Sequence, residues 1–185
     1  MKRTLVALVE DKPGVLNRIV SLFRRRNFNI ESLTVGHSEQ PGVSRLTMVV
    51  EAENVPAEQF VYQLDKLIPV LDVTDLTETL SVVRELALIK VKADSRTRGE
   101  IMQLVDVYRA KIIDVSLQSL VIEVVGDEDR VQSLIGLLQP FGILEIVRTG
   151  RVAMLRGAEV SNATNGNSGE DGAASTPVLV ESAAA

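Results

Sequence analysis

The chain has 185 residues, 45% of them hydrophobic, enough for one or two small domains with a real core. It has no Cys and one His, which excludes disulfides and Cys-ligated metals and argues against a zinc site. All 20 Lys and Arg precede Gly157; four of the 25 acids follow it, so the net charge of −5 hides a nearly neutral body that gives no electrostatic reason to expect nucleic acid. No apolar run approaches the ~18 residues of a membrane span. Met1-Lys2-Arg3-Thr4 leads into a run shorter than a signal-peptide core, so a cytoplasmic protein is expected.

Thr4 to Val9 read as a strand with apolar residues on both faces. A polar turn, Glu10-Asp11-Lys12-Pro13-Gly14, then runs straight into an amphipathic helix. Such a turn leaves N–H groups unpaired at the positive end of the helix dipole and can hold a small anion such as a carboxylate. Gly14, lacking a Cβ, would let a ligand approach the main chain, and Pro13 suits a first helical turn. An ordinary βα turn accounts for the same residues.

Val15 to Arg26 place Val15, Leu16, Ile19, Val20, Leu22 and Phe23 on one stripe. Arg24-Arg25-Arg26 reads as a solvated helix end or an anion site. Ile30 to Ser38 is a strand with Leu33, Val35 and His37 on one face, His37 being a packed or edge residue. A hairpin loop at Glu39–Gly42 leads to a strand from Val43 to Glu51. Pro56 stands near the start of a helix whose apolar face is Ala57, Phe60, Val61, Leu64, Leu67 and Ile68; Pro69 ends it, and Val70 to Leu76 is a fourth strand.

After a linker from Thr77 to Val83 the order repeats. Glu85 to Ala93 is a strand with Ala87, Ile89, Val91 and Ala93 inward. Thr97-Arg98-Gly99-Glu100 has the form of a capping box opening a helix with Ile101, Leu104, Val105 and Tyr108. Lys111 to Leu117 and Leu120 to Val125 are strands. Asp127 caps a helix with Val131, Leu134, Ile135 and Leu138, which Pro140 stops. Ile143 to Thr149 is the last strand, with an extension through Arg151 to Leu155. The Gly/Ser/Asn-rich acidic tail, 157–185, is expected to be disordered. The fold class is therefore α+β: two tandem ferredoxin-like β-α-β-β-α-β units, 1–77 and 84–156, and a tail.

Catalytic chemistry is hard to find. No GxSxG, P-loop or GxGxxG is present, and no acid/base pair stands at a defensible spacing. The same element order builds RNA-recognition modules, but those stack bases on strand aromatics, and residues 84–107 contain none.

The run Glu10-Asp11-Lys12-Pro13-Gly14-Val15-Leu16, then Asn27-Phe28-Asn29-Ile30-Glu31-Ser32-Leu33, resembles the ACT-domain family. Phe28 to Val35, Ser44-Arg45-Leu46-Thr47, Gln63 to Leu67, Arg84 to Val91 and Ile112 to Ser116 are similar to the regulatory (small) subunits of acetolactate synthase, over roughly 1–157. The resemblance implies a non-catalytic subunit without cofactors of its own. It would activate a catalytic (large) subunit that uses thiamine diphosphate, Mg²⁺ and FAD, and would make it sensitive to valine. It also implies a homodimer whose ACT domains join side by side into one sheet. Valine would sit at the seam between Asp11, Pro13, Gly14 and Val15 of one chain and Asn29 and Ile30 of the other. Where some members carry Asn, this chain has Asp11, which attracts an ammonium and repels a carboxylate. Apolar residues on the open sheet faces, Val6 and Leu8 or Leu86 and Leu88, are candidates for contact with the catalytic subunit, and ordinary domain packing explains them equally well. Another ACT-type amino-acid sensor, with a different ligand or partner, is the alternative.

Overall fold

The computed structural model describes residues 2–51 and 57–157. The first unit comprises β1 (Lys2–Glu10), α1 (Val15–Arg25), β2 (Ile30–His37), β3 (Val43–Glu51), α2 (Ala57–Asp65) and β4 (Val70–Asp75). The second comprises β5 (Ser81–Lys92), α3 (Arg98–Val107), β6 (Lys111–Val115), β7 (Ser119–Gly126), α4 (Glu128–Leu138) and β8 (Ile143–Arg148), followed by β9 (Val152–Leu155). The strand orders are β2-β3-β1-β4 and β6-β7-β5-β8, and the pairs are antiparallel. This is the twofold β-α-β-β-α-β order expected from the sequence.

Strand alternation decides which residues enter each core. In the first unit Leu5, Ala7 and Val9 of β1 and Leu46, Met48 and Val50 of β3 face Ile19 and Phe23 of α1 and Phe60 and Leu64 of α2. Phe60 packs on Phe28 and Phe23, with ring centroids 4.4 and 6.3 Å away. In the second unit the buried set is aliphatic: Ala87, Ile89, Val91, Ile122 and Val124 against Ile101, Val105, Val131, Leu134 and Leu138.

β1 is apolar on both faces because its other face is also covered. β9 pairs with the first residues of β5, Ser81 opposite Leu155 and Arg84 opposite Val152. This ribbon lies across the first sheet, where Val6, Leu76 and Ala153 form a small buried cluster with Val83 and Leu155.

Several expectations need correction. Val6 and Leu8 are not on an open face; each is only 4% exposed. Leu86 and Leu88 are half-buried on the outer face of the second sheet, opposite Val125 and Val147. Ser81 to Val83 are strand, not linker. Ile68 is 90% exposed and outside α2, which ends at Asp65, because a residue preceding proline is pushed out of the helical region. Thr97 makes no side-chain cap; Asp94 does that work instead. β8 does not run unbroken into β9: Ala87 faces Arg148 and Arg84 faces Val152, so the three residues Thr149-Gly150-Arg151 oppose the two residues Glu85-Leu86, and the extra one makes a turn at Gly150 (φ +81°). The tail's expected disorder and the helix start at Pro56 lie outside the described residues.

Candidate functional site

The β1–α1 turn is pinned from two sides. Glu10 N–H donates to Pro69 O (2.9 Å) and Asp11 N–H to Gly42 O (2.8 Å). The chain then needs a left-handed residue to enter the helix, and Gly14 supplies it at φ +86°, with open space where a Cβ would stand. α1 has no side-chain cap and no acid in its first turn. Val15 N–H reaches Lys12 O only at 3.4 Å, and the N–H groups of Leu16 and Asn17 have no partner among the described residues. Unpaired donors and an unneutralised dipole at an exposed turn suit a carboxylate.

Asp11, Pro13 and Gly14 are exposed beside these donors; the Val15 side chain is buried in the core, so only its main chain faces the turn. The Asp11 carboxylate lies 3.4 Å from His37 Nδ1. His37 sits at the exposed end of edge strand β2, as one of the two sequence readings had it. Its closeness to Asp11 escaped that reading, although the hairpin register, which sets His37 opposite Ser44 and Ser44 opposite Val9, contains it.

Asn29 and Ile30 are elsewhere. Ile30 pairs with Val50, which pairs with Arg3 at the start of β1. The Asn29 side-chain N–H donates to Glu51 Oε2 (2.8 Å), and Glu51 N–H donates to Asn29 O (3.0 Å). Asn29 and Ile30 border a hollow of about 500 Å³ with Val20, Phe23, Arg24, Asn27 and Phe28. Seven residue steps along the strand separate Ile30 from His37, roughly 23 Å at the usual rise. One chain therefore holds the two halves of the expected site at opposite ends of β2 and does not bring them together.

Arg24 and Arg25 complement the C-terminal dipole of α1 from solvent, and Arg26 donates to Gln63 Oε1 (2.9 Å). Among the described residues, no group of three or more His, Cys, Asp or Glu could hold a metal ion, and no helix is long and apolar enough to cross a membrane.

Residues 5–72 match the family described as "AHAS small subunit-like ACT domain" and residues 84–157 the family "Small subunit of acetolactate synthase". The chain is 54% identical over 157 residues to the probable acetolactate synthase small subunit of Archaeoglobus fulgidus, covering 85% of this chain and 98% of that one. It is 49% identical over 167 residues to the acetolactate synthase small subunit of Bacillus subtilis, covering 89% and 96%. The crystal structure of the acetolactate synthase small subunit from Thermotoga maritima superposes with a TM-score of 0.78 at 44% identity, over 86% of this chain and 99% of that one. Two units with an open βα turn and these matches across both lead to one conclusion: the chain belongs to the acetolactate synthase small-subunit family, whose members are regulatory ACT-domain subunits rather than catalytic ones.

Proposed function

We propose that this subunit binds valine at a seam between two copies of itself and thereby sets the activity of a catalytic acetolactate synthase subunit. In this reading residues 1–77 bind the amino acid and dimerise, residues 84–156 form the C-terminal regulatory domain, and thiamine diphosphate, Mg²⁺ and FAD belong to the catalytic partner, alongside it in the cytoplasm. The observation that carries the reading is the separation of the half-sites along β2. β2 is an edge strand, and an unpaired edge is a template for another strand. If two copies pair antiparallel through β2, a two-fold axis near its middle sets Ile30 of one chain beside His37 and Asp11 of the other. Both incomplete halves then become one site.

The chemistry fits a small zwitterion. The Leu16 and Asn17 N–H groups would take the carboxylate, with Gly14 leaving room for it. Asp11, or the side-chain oxygen of Asn29 from the other chain, would accept from the ammonium, and Ile30 would meet the isopropyl group. Regulation follows if the catalytic subunit prefers one arrangement of the paired domains and valine another: valine then opposes activation by shifting the population.

The test is calorimetric titration of valine into the wild type, Gly14→Asp and Gly14→Asn. Asn tolerates the left-handed backbone and adds no charge, so it separates strain from repulsion. Binding near one site per chain in the wild type, weakened at least 100-fold by Asp and much less by Asn, is expected. Binding retained in Gly14→Asp would move the site away from this turn.

A further inference from the structure

The strand that carries the seam is also the strand that the second unit grips. Ser32 and Thr34 of β2 share a face with Val49 and Thr47 of β3 and with Thr4 and Val6 of β1, the face turned from the helices. The turn Thr149-Gly150-Arg151 between β8 and β9 rests on it. Thr34 Oγ1 donates to Thr149 O (3.0 Å), Arg151 N–H donates to Ser32 Oγ (3.2 Å), and the Arg151 guanidinium donates to Thr4 Oγ1 (3.4 Å). Gly150 makes this approach feasible: a Cβ there would overlap Ser32 Oγ and come within 3.1 Å of Thr34 Oγ1. On its other side the turn is tied to the second unit. Arg151 pairs with Glu128 at the first residue of α4, and Arg148 pairs with the buried Glu85 of β5. Lys2 of β1 joins the network, 2.5 Å from Glu31 of β2 and 3.5 Å from Glu128. Glu31, Ser32, Glu85, Glu128, Arg148 and the turn itself line a cavity of about 360 Å³ between the units.

We infer that the turn Thr149-Gly150-Arg151 is the coupling contact through which a change at the β2 seam reaches the second unit. The inference rests on the valine-seam reading. Any shift of β2 that accompanies valine at Ile30 must move Ser32 and Thr34, which are two and four residues along the same strand. Their hydrogen bonds hold the turn, and the turn holds α4 through Glu128 and β5 through Arg148. Packed elements switch between discrete arrangements rather than bending continuously, so a small movement of β2 is passed on rather than absorbed. The contact is separate from the valine-binding groups, so transmission can be lost while binding remains.

The test compares the wild type with Gly150→Ala, which wedges the turn off β2, and with Ser32→Ala/Thr34→Val, which removes both β2 hydrogen bonds without altering the turn's backbone. Valine affinity is measured for the free subunit and for its complex with the catalytic subunit, together with valine inhibition of the complex. The wild type should show affinities that differ about 5- to 150-fold between the two states, the usual range of allosteric coupling. Both variants should keep the free-subunit affinity within about twofold, bring the ratio near one, and raise the half-inhibiting valine concentration at least tenfold. A wild-type ratio and wild-type inhibition in the double variant would overturn the inference, as would loss of free-subunit binding in it. Absence of valine binding by the wild type itself would instead overturn the seam reading, and this inference with it.

Discussion

At the start of α1 no side chain caps the turn; at the start of α3 a carboxylate from the chain itself braces the turn that enters the helix. Both turns follow the first strand of a β-α-β-β-α-β unit. In the second, Asp94 accepts from Arg96 N–H (2.8 Å), Thr97 N–H (2.9 Å) and the Thr97 hydroxyl (3.0 Å). Arg98 closes the same corner by donating to Ser116 O and Leu117 O. α4 is closed likewise by Asp127, with Glu128 and Asp129 in its first turn. α1 has none of these devices. The outer edges differ in the same direction: β2 is eight residues long with its bulge at one end, whereas β6 is five residues long with a bulge at its centre. Short, bulged edges resist pairing. The second unit thus carries acids at its helix starts and a short, bulged outer edge where the first has an uncapped helix start and a longer edge strand, a contrast that favours assigning effector binding and dimerisation to the first unit.

The comparison extends to the cores, where its largest test lies. Phe60 is 1% exposed and holds the aromatic cluster of the first unit. Phe60→Ala should cost about 3–5 kcal/mol in denaturant unfolding, from lost burial and the cavity left behind. Hydrogen exchange should then accelerate in β1 and β3 before β5 and β7. Equal acceleration in both sheets would mean that the small cluster of Val6, Leu76 and Ala153 fuses the units into one cooperative block, and the contrast between them would not extend to stability.

A smaller effect is expected at α4. Asp127 accepts from Arg130 N–H at 2.9 Å, so Asp127→Ala should cost about 1 kcal/mol, as caps do. It should leave valine binding by the free subunit unchanged, because the capped N–H belongs to α4 and not to the first unit. A change in valine affinity without a change in stability would contradict that division.

The fold was legible because its periodicities are clean. The alternation in β5 and the stripe of α4 match the buried residues, and Asp127 caps as its position before an apolar helix implies; the buried stripe of α1 is narrower than the one expected, since Val15, Ile19 and Phe23 are buried but Leu16 and Val20 are exposed. What escaped was non-local. Val6 looks like part of an open face until β9, about 145 residues later, packs on it, and strand periodicity cannot report a partner so distant. Thr97 looked like a cap because the sequence has the right letters, but its hydroxyl donates to Asp94, three residues earlier, which accepts from the Arg96 and Thr97 N–H groups ahead of the helix. The site was legible in chemistry and not in geometry: the turn's donors follow from its local sequence, whereas the separation of Asn29 and Ile30 from Gly14 follows only from strand register.

The smallest effect concerns Asp94 itself. Hydrogen bonds from Thr97 N–H, then Arg96 N–H and the Thr97 hydroxyl, hold its carboxyl below the ordinary value of 3.8. A carboxyl depressed in the folded state adds stability that is present above its unfolded value and is lost as pH falls through the folded one. Asp94→Asn keeps an acceptor for the same N–H groups but removes the charge and its titration. The wild type should therefore be the more stable protein at neutral pH, and its advantage should shrink as pH drops below 3.8. The difference is read from denaturation midpoints of both proteins across that range. A pH-independent difference would mean that Asp94 acts only as a neutral acceptor. The parallel drawn with a ligand carboxylate at α1 would then lose its electrostatic part and keep only its geometry.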